Sequence, residues 1–182
     1  EVDQHGTGLG DFFDILCDLQ DHRNCTKCLC HATDAGGFLP DQAVAETLKL
    51  PVPVVVVGNI TAGGSGKTPL VIHLAQELSR RGWRPGIVSR GHGGNARGVA
   101  AVSDSSEAAH VGDEPLLLAR RAGCPVFVGR DRVAAARALL SAHPDCNVLL
   151  ADDGLQHLRL ARDVEIVVMD ERGIGNGWPL PA

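Results

Sequence analysis

The stretch that most limits the fold is "PVPVVVVGNITAGGSGKTPLV", residues 51–71. An apolar run of strand length, with no polar residue to face water, reads as a strand covered on both sides. It breaks into a glycine-rich turn, and the turn opens onto a helical pattern. Glycines at such a junction expose successive backbone N–H groups at a helix N-terminus, where unsatisfied donors and the helix dipole together attract an anion. The turn is therefore either a phosphate cradle or a tight strand-to-helix connection.

Downstream of about Leu48 the same texture repeats, with apolar runs alternating with alanine- and leucine-rich stretches. That alternation is the mark of βαβ units and a parallel sheet. It predicts strands near 53–57, 84–89, 125–129, 147–151 and 164–169, and a short one near 99–103. Helices are expected over 67–81, 113–122 and 131–142. The fold class is thus α/β, P-loop NTPase-like, with a mostly parallel sheet and helices on both faces. A chain of 182 residues accommodates one such domain and a short appendage. The domain is read as 48–182, and residues 1–47 as an irregular, cysteine-rich N-terminal extension.

In the cradle reading, Thr61, Ala62, Gly63, Gly64, Ser65 and Gly66 wrap the phosphates of a nucleotide. Lys67 then reaches the β- and γ-phosphates and Thr68 offers a hydroxyl to Mg²⁺. The loop departs from strict G-x-x-x-x-G-K-[ST] because Thr61 replaces the first glycine. Such a loop needs a carboxylate at the end of a neighbouring strand, and "NVLLADDGLQH" supplies Asp152 and Asp153 where open α/β sheets bind ligands. Alone, that pair is also what an acidic turn after a strand looks like.

"PVFVGRDRVAAARALL" puts Arg130 and Arg132 at a helix start, where the dipole opposes positive charge and an anion relieves it. They either grip phosphate or pair with nearby carboxylates. "VGDEPLLLARRAG" sets Asp113 and Glu114 before Pro115. Asp113 reads as a helix N-cap, or as the carboxylate that accepts a proton from an attacking hydroxyl. "IVSRGHGGNARG" follows a strand with Arg90 and a glycine loop, either a gate for substrate or a solvated excursion.

Composition narrows the classes. A net charge of -5, four Phe, two Trp and no Tyr disfavour a nucleic-acid surface, which needs basic charge and stacking rings. No stretch approaches the ~20 apolar residues of a bilayer span. With a start at Glu1 and no leader pattern, the chain is expected to be soluble and taken from something longer. Six cysteines, four of them at Cys17, Cys25, Cys28 and Cys30, do not form an evenly spaced disulfide framework, so a reducing compartment is expected. With His31 they form C-x₇-C-x₂-C-x-C-H, readable as a zinc knuckle or as a metal-free extension.

Taken together, "VPVVVVGNITAGGSGKTPLV", "PGIVSRGHGG", "VGDEPLLLARRAGCPVFVGRDRVAAA", "DDGLQHLRLARDVEIVVMD" and "RGIGNGWPLPA" resemble the tetraacyldisaccharide 4'-kinase family, the lipid A 4'-kinases of Gram-negative bacteria. The likeness runs from about Leu50 to Ala182. It implies an enzyme that uses ATP and Mg²⁺ to phosphorylate the 4'-hydroxyl of a lipid A disaccharide precursor. That enzyme works peripherally, on the membrane surface at the cytoplasmic face of the inner membrane, with no nucleic-acid partner. It further implies nucleotide binding over 61–68, metal binding by Thr68, Glu114, Asp152 and Asp153, and proton acceptance by Asp113. His157 falls in the family's D-D-G-L-Q-H stretch, and His92 stands where the family usually has Tyr. Residues 1–47 do not resemble the family's amphipathic N-terminal segment, and a second lobe is expected beyond Ala182. The rival readings are a nucleotide switch and a non-catalytic nucleotide- or zinc-binding fragment. A GTP switch would carry N/T-K-x-D, which the sequence lacks.

Overall fold

A computed structural model describes residues 28–32, 47–59 and 66–168, the first of these segments by its backbone alone. In chain order the strands are β1 (Cys28–Ala32), β2 (Val54–Asn59), β3 (Pro85–Ser89), β4 (Ala100–Val102), β5 (Val126–Val128), β6 (Val148–Asp152) and β7 (Val164–Val168). The helices are α1 (Lys67–Arg80), α2 (Ala108–Val111), α3 (Asp113–Ala122) and α4 (Arg132–Ala142).

The strands form one seven-stranded sheet in the order β1-β7-β2-β6-β3-β5-β4. From β7 to β5 every neighbouring pair is parallel, while β1 and β4 close the two edges antiparallel. The chain leaves β2 through α1 and lands on β3, skipping the slot that β6 later fills. The carboxyl ends of β2, β6 and β3 therefore lie side by side, the position where open α/β sheets bind ligands.

Period-two alternation divides the core. Val55, Val57, Ile87, Leu150 and Ile166 pack with Val71, Leu74 and Leu78 of α1 and Leu118 of α3. Val54, Val56, Val88, Leu149 and Ala151 pack on the opposite face with Val133, Ala136 and Leu139 of α4. The four valines of β2 are all essentially inaccessible to solvent. At about 1.5–3 kcal/mol for each fully buried aliphatic side chain, this burial is what secures β2 as the central strand.

Helix ends follow local chemistry. Gly66, in a left-handed conformation (φ 81°), precedes α1. Pro69 falls in the first turn, where its missing N–H has no partner to lose. The helix stops where the Gly82 N–H turns back to the Ser79 carbonyl, with Gly82 at φ 86°, a glycine-terminated end. α4 begins at Asp131, whose carboxylate accepts from the backbone N–H groups of Val133 and Ala134 at 3.0 and 3.1 Å.

Two elements differ from expectation. The segment read as irregular, 1–47, contributes β1, which pairs with β7 from Cys28↔Val168 to Ala32↔Val164. Its partner is the open ladder of β7, so the cause is tertiary and has no local sequence pattern. The short helix α2, placed immediately before α3, was not expected either.

Candidate active site

Lys67 is the first residue of α1, and its ammonium lies over the carboxyl end of β2. Nζ donates to Asn59 Oδ1 at 2.6 Å and to Asp153 Oδ1 at 2.8 Å. The Lys67 side chain is 17% exposed and that of Asp153 52%. Asp153 takes a left-handed backbone, φ 53°, which aspartate tolerates better than most residues. Burial pushes the Asp153 carboxyl up, but the Lys67 hydrogen bond and charge, aided by Arg132 and Arg90, hold it below the usual carboxylate range. Thr68 is buried in the first turn of α1. Of the expected cradle, Thr61, Ala62, Gly63, Gly64 and Ser65 lie outside the described residues.

The neighbouring carboxylate behaves in the opposite way. Asp152 ends β6 and is 2% exposed. Burial, with the charges of Glu114 and Asp153, pushes its carboxyl up to about 6, against the lowering effects of Ser89 and Lys67. The Ser89 hydroxyl, at the end of β3, donates to Asp152 Oδ2 at 3.1 Å. A nearly dry carboxylate held by one hydroxyl favours a cation nearby. Glu114 sits in the exposed first turn of α3, close enough for its charge to act on Asp152.

Magnesium suits this set. The donors are a hydroxyl and carboxylates, all hard oxygens, and Mg²⁺ usually takes one or two carboxylates together with waters and substrate phosphates. Among the described residues no group of three or more His, Cys, Asp or Glu is gathered so as to hold a metal ion. Of the zinc-knuckle candidates, Cys28, Cys30 and His31 belong to β1, and Cys17 and Cys25 lie outside the described residues.

Asp113 is exposed and is the first residue of α3, whereas the N-cap position is Gly112. The capping expectation thus moves back by one residue. Gly112 has φ 94°, and a Cβ there would strike the His92 carbonyl oxygen. Across the same contact, a Cβ on Gly94 would lie 2.5 Å from the His110 carbonyl oxygen. The glycine loop after β3 is therefore packed backbone to backbone against the turn that carries Asp113. It is tied there by Asn95 N–H to the Ala109 carbonyl at 3.1 Å and Ala96 N–H to the His110 carbonyl at 2.9 Å.

The two arginines part company. Arg132 is 2% exposed, donating to the Gly129 carbonyl at 2.7 Å and the Asp152 carbonyl at 3.2 Å. Burial pulls its guanidinium down to about 10, opposed by the charges of Asp152 and Asp153, and its Nε has no hydrogen-bond partner. It braces the end of β5 against the end of β6, its contacts lying with backbone carbonyls and not with the carboxylate side chains that one of its two sequence readings expects. The physical cause is the N-cap at Asp131, which starts α4 so that the next side chain turns inward. Arg130 instead lines a cavity of about 350 Å³ with Arg90, His92 and the backbone of the glycine loop. His157 is held below its ordinary value by burial and then by the positive charges of Arg132 and Arg90, so it faces the same electrostatic field as a neutral ring.

Sequence reasoning missed Asn59 and Ser89. Each is a polar residue closing an apolar strand at its carboxyl end, and that position was the available signal.

The protein-family model for tetraacyldisaccharide-1-P 4'-kinase matches residues 32–182. The chain is 63% identical over 147 residues to a tetraacyldisaccharide 4'-kinase of Dechloromonas aromatica, covering 81% of this chain and 44% of that protein. It is 63% identical over 135 residues to one from Azoarcus sp., covering 74% and 40%. Among solved structures it resembles "apo" form LpxK from Aquifex aeolicus in complex with ATP, with a TM-score of 0.62 and 37% identity over 68% of this chain and 40% of that one. The chain thus spans about two fifths of the length of the relatives it matches. With the family model covering most of the chain and relatives of that name at 63% identity, the chain belongs to the tetraacyldisaccharide-1-P 4'-kinase family.

Proposed function

We propose that this chain is the nucleotide-binding portion of an ATP-dependent kinase that phosphorylates the 4'-hydroxyl of a tetraacyldisaccharide 1-phosphate in lipid A biosynthesis. The observation that carries this reading is the Lys67 ammonium over the end of β2, 2.8 Å from a carboxylate of the Asp152–Asp153 pair, in a chain of this family. Lys67 and the amides from Thr61 to Thr68 hold the triphosphate. Thr68, Glu114, Asp152 and Asp153 would hold Mg²⁺, which would supply positive charge to offset that of the nucleotide's phosphates. Asp113 accepts the proton of the sugar hydroxyl as the new O–P bond forms and the bond from the γ-phosphorus to ADP breaks. Asp113 is exposed at a helix start, as a base that meets a second substrate must be.

The cavity lined by Arg90, His92 and Arg130 suits the anionic, sugar-bearing part of the acceptor, since its charged side chains carry no negative charge to repel it. Among the described residues no helix is long and apolar enough to cross a membrane. The family's lipid substrate supports an acceptor that approaches at the membrane surface, on the cytoplasmic face, and the net charge of -5 supports the absence of a nucleic-acid partner. Transfer of labelled γ-phosphate from ATP to the disaccharide lipid tests the proposal, using the chain joined to the part of the family length it does not span. Transfer is expected, falling by ~10²–10⁴-fold in Asp113→Asn, the range for loss of a general base. Absence of transfer, or full transfer by Asp113→Asn, overturns it.

A further inference from the structure

We infer that Asn59 is a positioning residue for Lys67, a neutral anchor that keeps the ammonium aimed at the phosphates while its charged partner is exchanged. The inference rests on the nucleotide-binding reading of the site and adds a residue to it.

Lysine presents an ammonium with three donors on a flexible four-carbon stem, so its direction must be imposed from outside. Two constraints are visible and they differ in kind. Asp153 Oδ1, at 2.8 Å, is a charged acceptor on a half-exposed side chain in the turn after β6. Asn59 Oδ1, at 2.6 Å, belongs to the last residue of β2, which is paired with Val168 of β7. Asn59 is therefore fixed to the sheet, whereas Asp153 is fixed only to a turn.

The two partners respond differently to an incoming polyphosphate. A carboxylate and a phosphate are rivals for one cation and repel each other, so the Lys67–Asp153 contact has to loosen when phosphate enters. An amide oxygen carries no net charge. It orients the ammonium without cancelling the charge that attracts phosphate, and it has no reason to leave. With one N–H held by Asn59, the other two are directed upward for phosphate oxygens. Without Asn59, release of Asp153 would set the whole stem free, and the order imposed on it would have to come from the nucleotide's own binding energy.

The test is nucleotide binding by titration calorimetry on the whole chain with Mg²⁺, comparing ATP with AMP. Asn59→Ala is expected to weaken ATP binding about tenfold, in line with a lost hydrogen bond to a charged group. AMP, which lacks the phosphates Lys67 reaches, should change by less than about twofold, and so should ATP when Lys67→Ala is already present, because the effect acts through Lys67. Asn59→Leu keeps the volume, removes the acceptor and should match Asn59→Ala, which covers the case of a poorly folded alanine variant. The inference is overturned if these variants bind ATP as the parent does, or lose the same factor with Lys67 removed.

A parent chain that binds no adenine nucleotide overturns the kinase reading instead. Amine labelling of nucleotide-free protein, followed by mass spectrometry, then decides for Asn59. Labelling of Lys67 relative to the exposed Lys49 should rise severalfold in Asn59→Ala if Asn59 restrains it, and an unchanged ratio overturns the anchor.

Discussion

The two ends of the sheet handle polar groups in opposite ways. At the amino end, Arg84 N–H donates to Asn147 Oδ1 at 2.7 Å and Asn147 N–H returns to the Arg84 carbonyl at 3.0 Å. Nearby, Val54 N–H donates to Asp163 Oδ2 at 2.8 Å. These bonds are short, reciprocal and local to the strand starts. At the carboxyl end, Asp152 is almost dry with one hydroxyl for support, Asp153 is left-handed, and Arg132 Nε is the one buried side-chain polar atom among the described residues without a partner. One end uses its polar groups to finish the fold. The other holds charge in reserve, the condition a site needs if a ligand is to improve on the empty state.

The largest test of that contrast is arginine against arginine. Arg132→Ala removes donors to two strand-end carbonyls and a buried positive charge acting on Asp152 and Asp153. A loss of about 3–4 kcal/mol is expected, the range for breaking a buried charge cluster from one side. Arg84→Ala, at the amino end, removes a side chain 61% exposed and should cost under about 1 kcal/mol. Denaturant unfolding of both variants measures this. Equal losses would break the contrast.

Glycine against glycine comes next. Gly82 and Gly112 both have positive φ, 86° and 94°. A Cβ at Gly82 meets open space, while one at Gly112 meets the backbone of His92. Gly82→Ala should cost about 1–2 kcal/mol from the left-handed conformation alone. Gly112→Ala adds an overlap that backbone cannot relieve by changing rotamer, and about 3 kcal/mol is expected. It should also shift Asp113, so nucleotide binding with intact Lys67 should survive in Gly112→Ala while phosphate transfer falls. If thermal unfolding shows equal costs, the packing between the glycine loop and the α3 turn is unimportant.

The same contrast explains what could be read in advance. Strands β2, β3, β5 and β6 are legible because parallel strands buried on both faces are apolar along most of their length, β7 because apolar residues flank its one charged residue, Glu165, and the helical pattern sets α1 at 67–81 against the observed Lys67–Arg80. Lys67 is legible because a glycine-rich turn precedes it at the start of a helical pattern, and Asp152 and Asp153 because they close an apolar run at a strand end. Arg132 left two readings open because its direction depends on where Asp131 caps α4, and one residue of phase separates a surface arginine from a buried one. Asn59 and Ser89 acquire meaning only from Lys67 and Asp152, partners 8 and 63 positions away. The β1 strand depends on β7 in the same way.

Charge in reserve predicts a dependence on pH. The Asp152 carboxyl sits at about 6 rather than 3.8, so between those values the folded chain holds a proton that the unfolded chain releases. The stability from that proton is complete below 3.8 and is lost as pH rises through about 6; above it, ionised Asp152 opposes folding by about 2–3 kcal/mol. Asp152→Asn removes the charge, so nucleotide-free Asp152→Asn should be more stable than the parent by about 2 kcal/mol at pH 8, with the gap falling to about half by pH 5 and closing only below about 3.8. Mg²⁺ should reverse the order at pH 8 in the presence of ATP, since only the carboxylate gains from the ion. Denaturant midpoints at the two pH values, with and without nucleotide, supply the comparison. A gap independent of pH would mean that Asp152 is ordinarily hydrated.

Ser89→Ala is the smallest and sharpest case, because it touches that carboxylate through a single bond of 3.1 Å. The hydroxyl is one of the influences that lower Asp152, so its removal should push the carboxyl higher still. About 1 kcal/mol should be lost at pH 8, where the acceptor is ionised, and less at pH 5, where the proton already satisfies it. Asn147→Ala, which breaks the 2.7 Å bond at the amino end, should also lose about 1 kcal/mol, but equally at both pH values, since neither partner titrates. Two hydrogen bonds of similar worth would then differ only in their response to protons, and that response belongs to the end of the sheet that carries Lys67, Asp152 and Asp153.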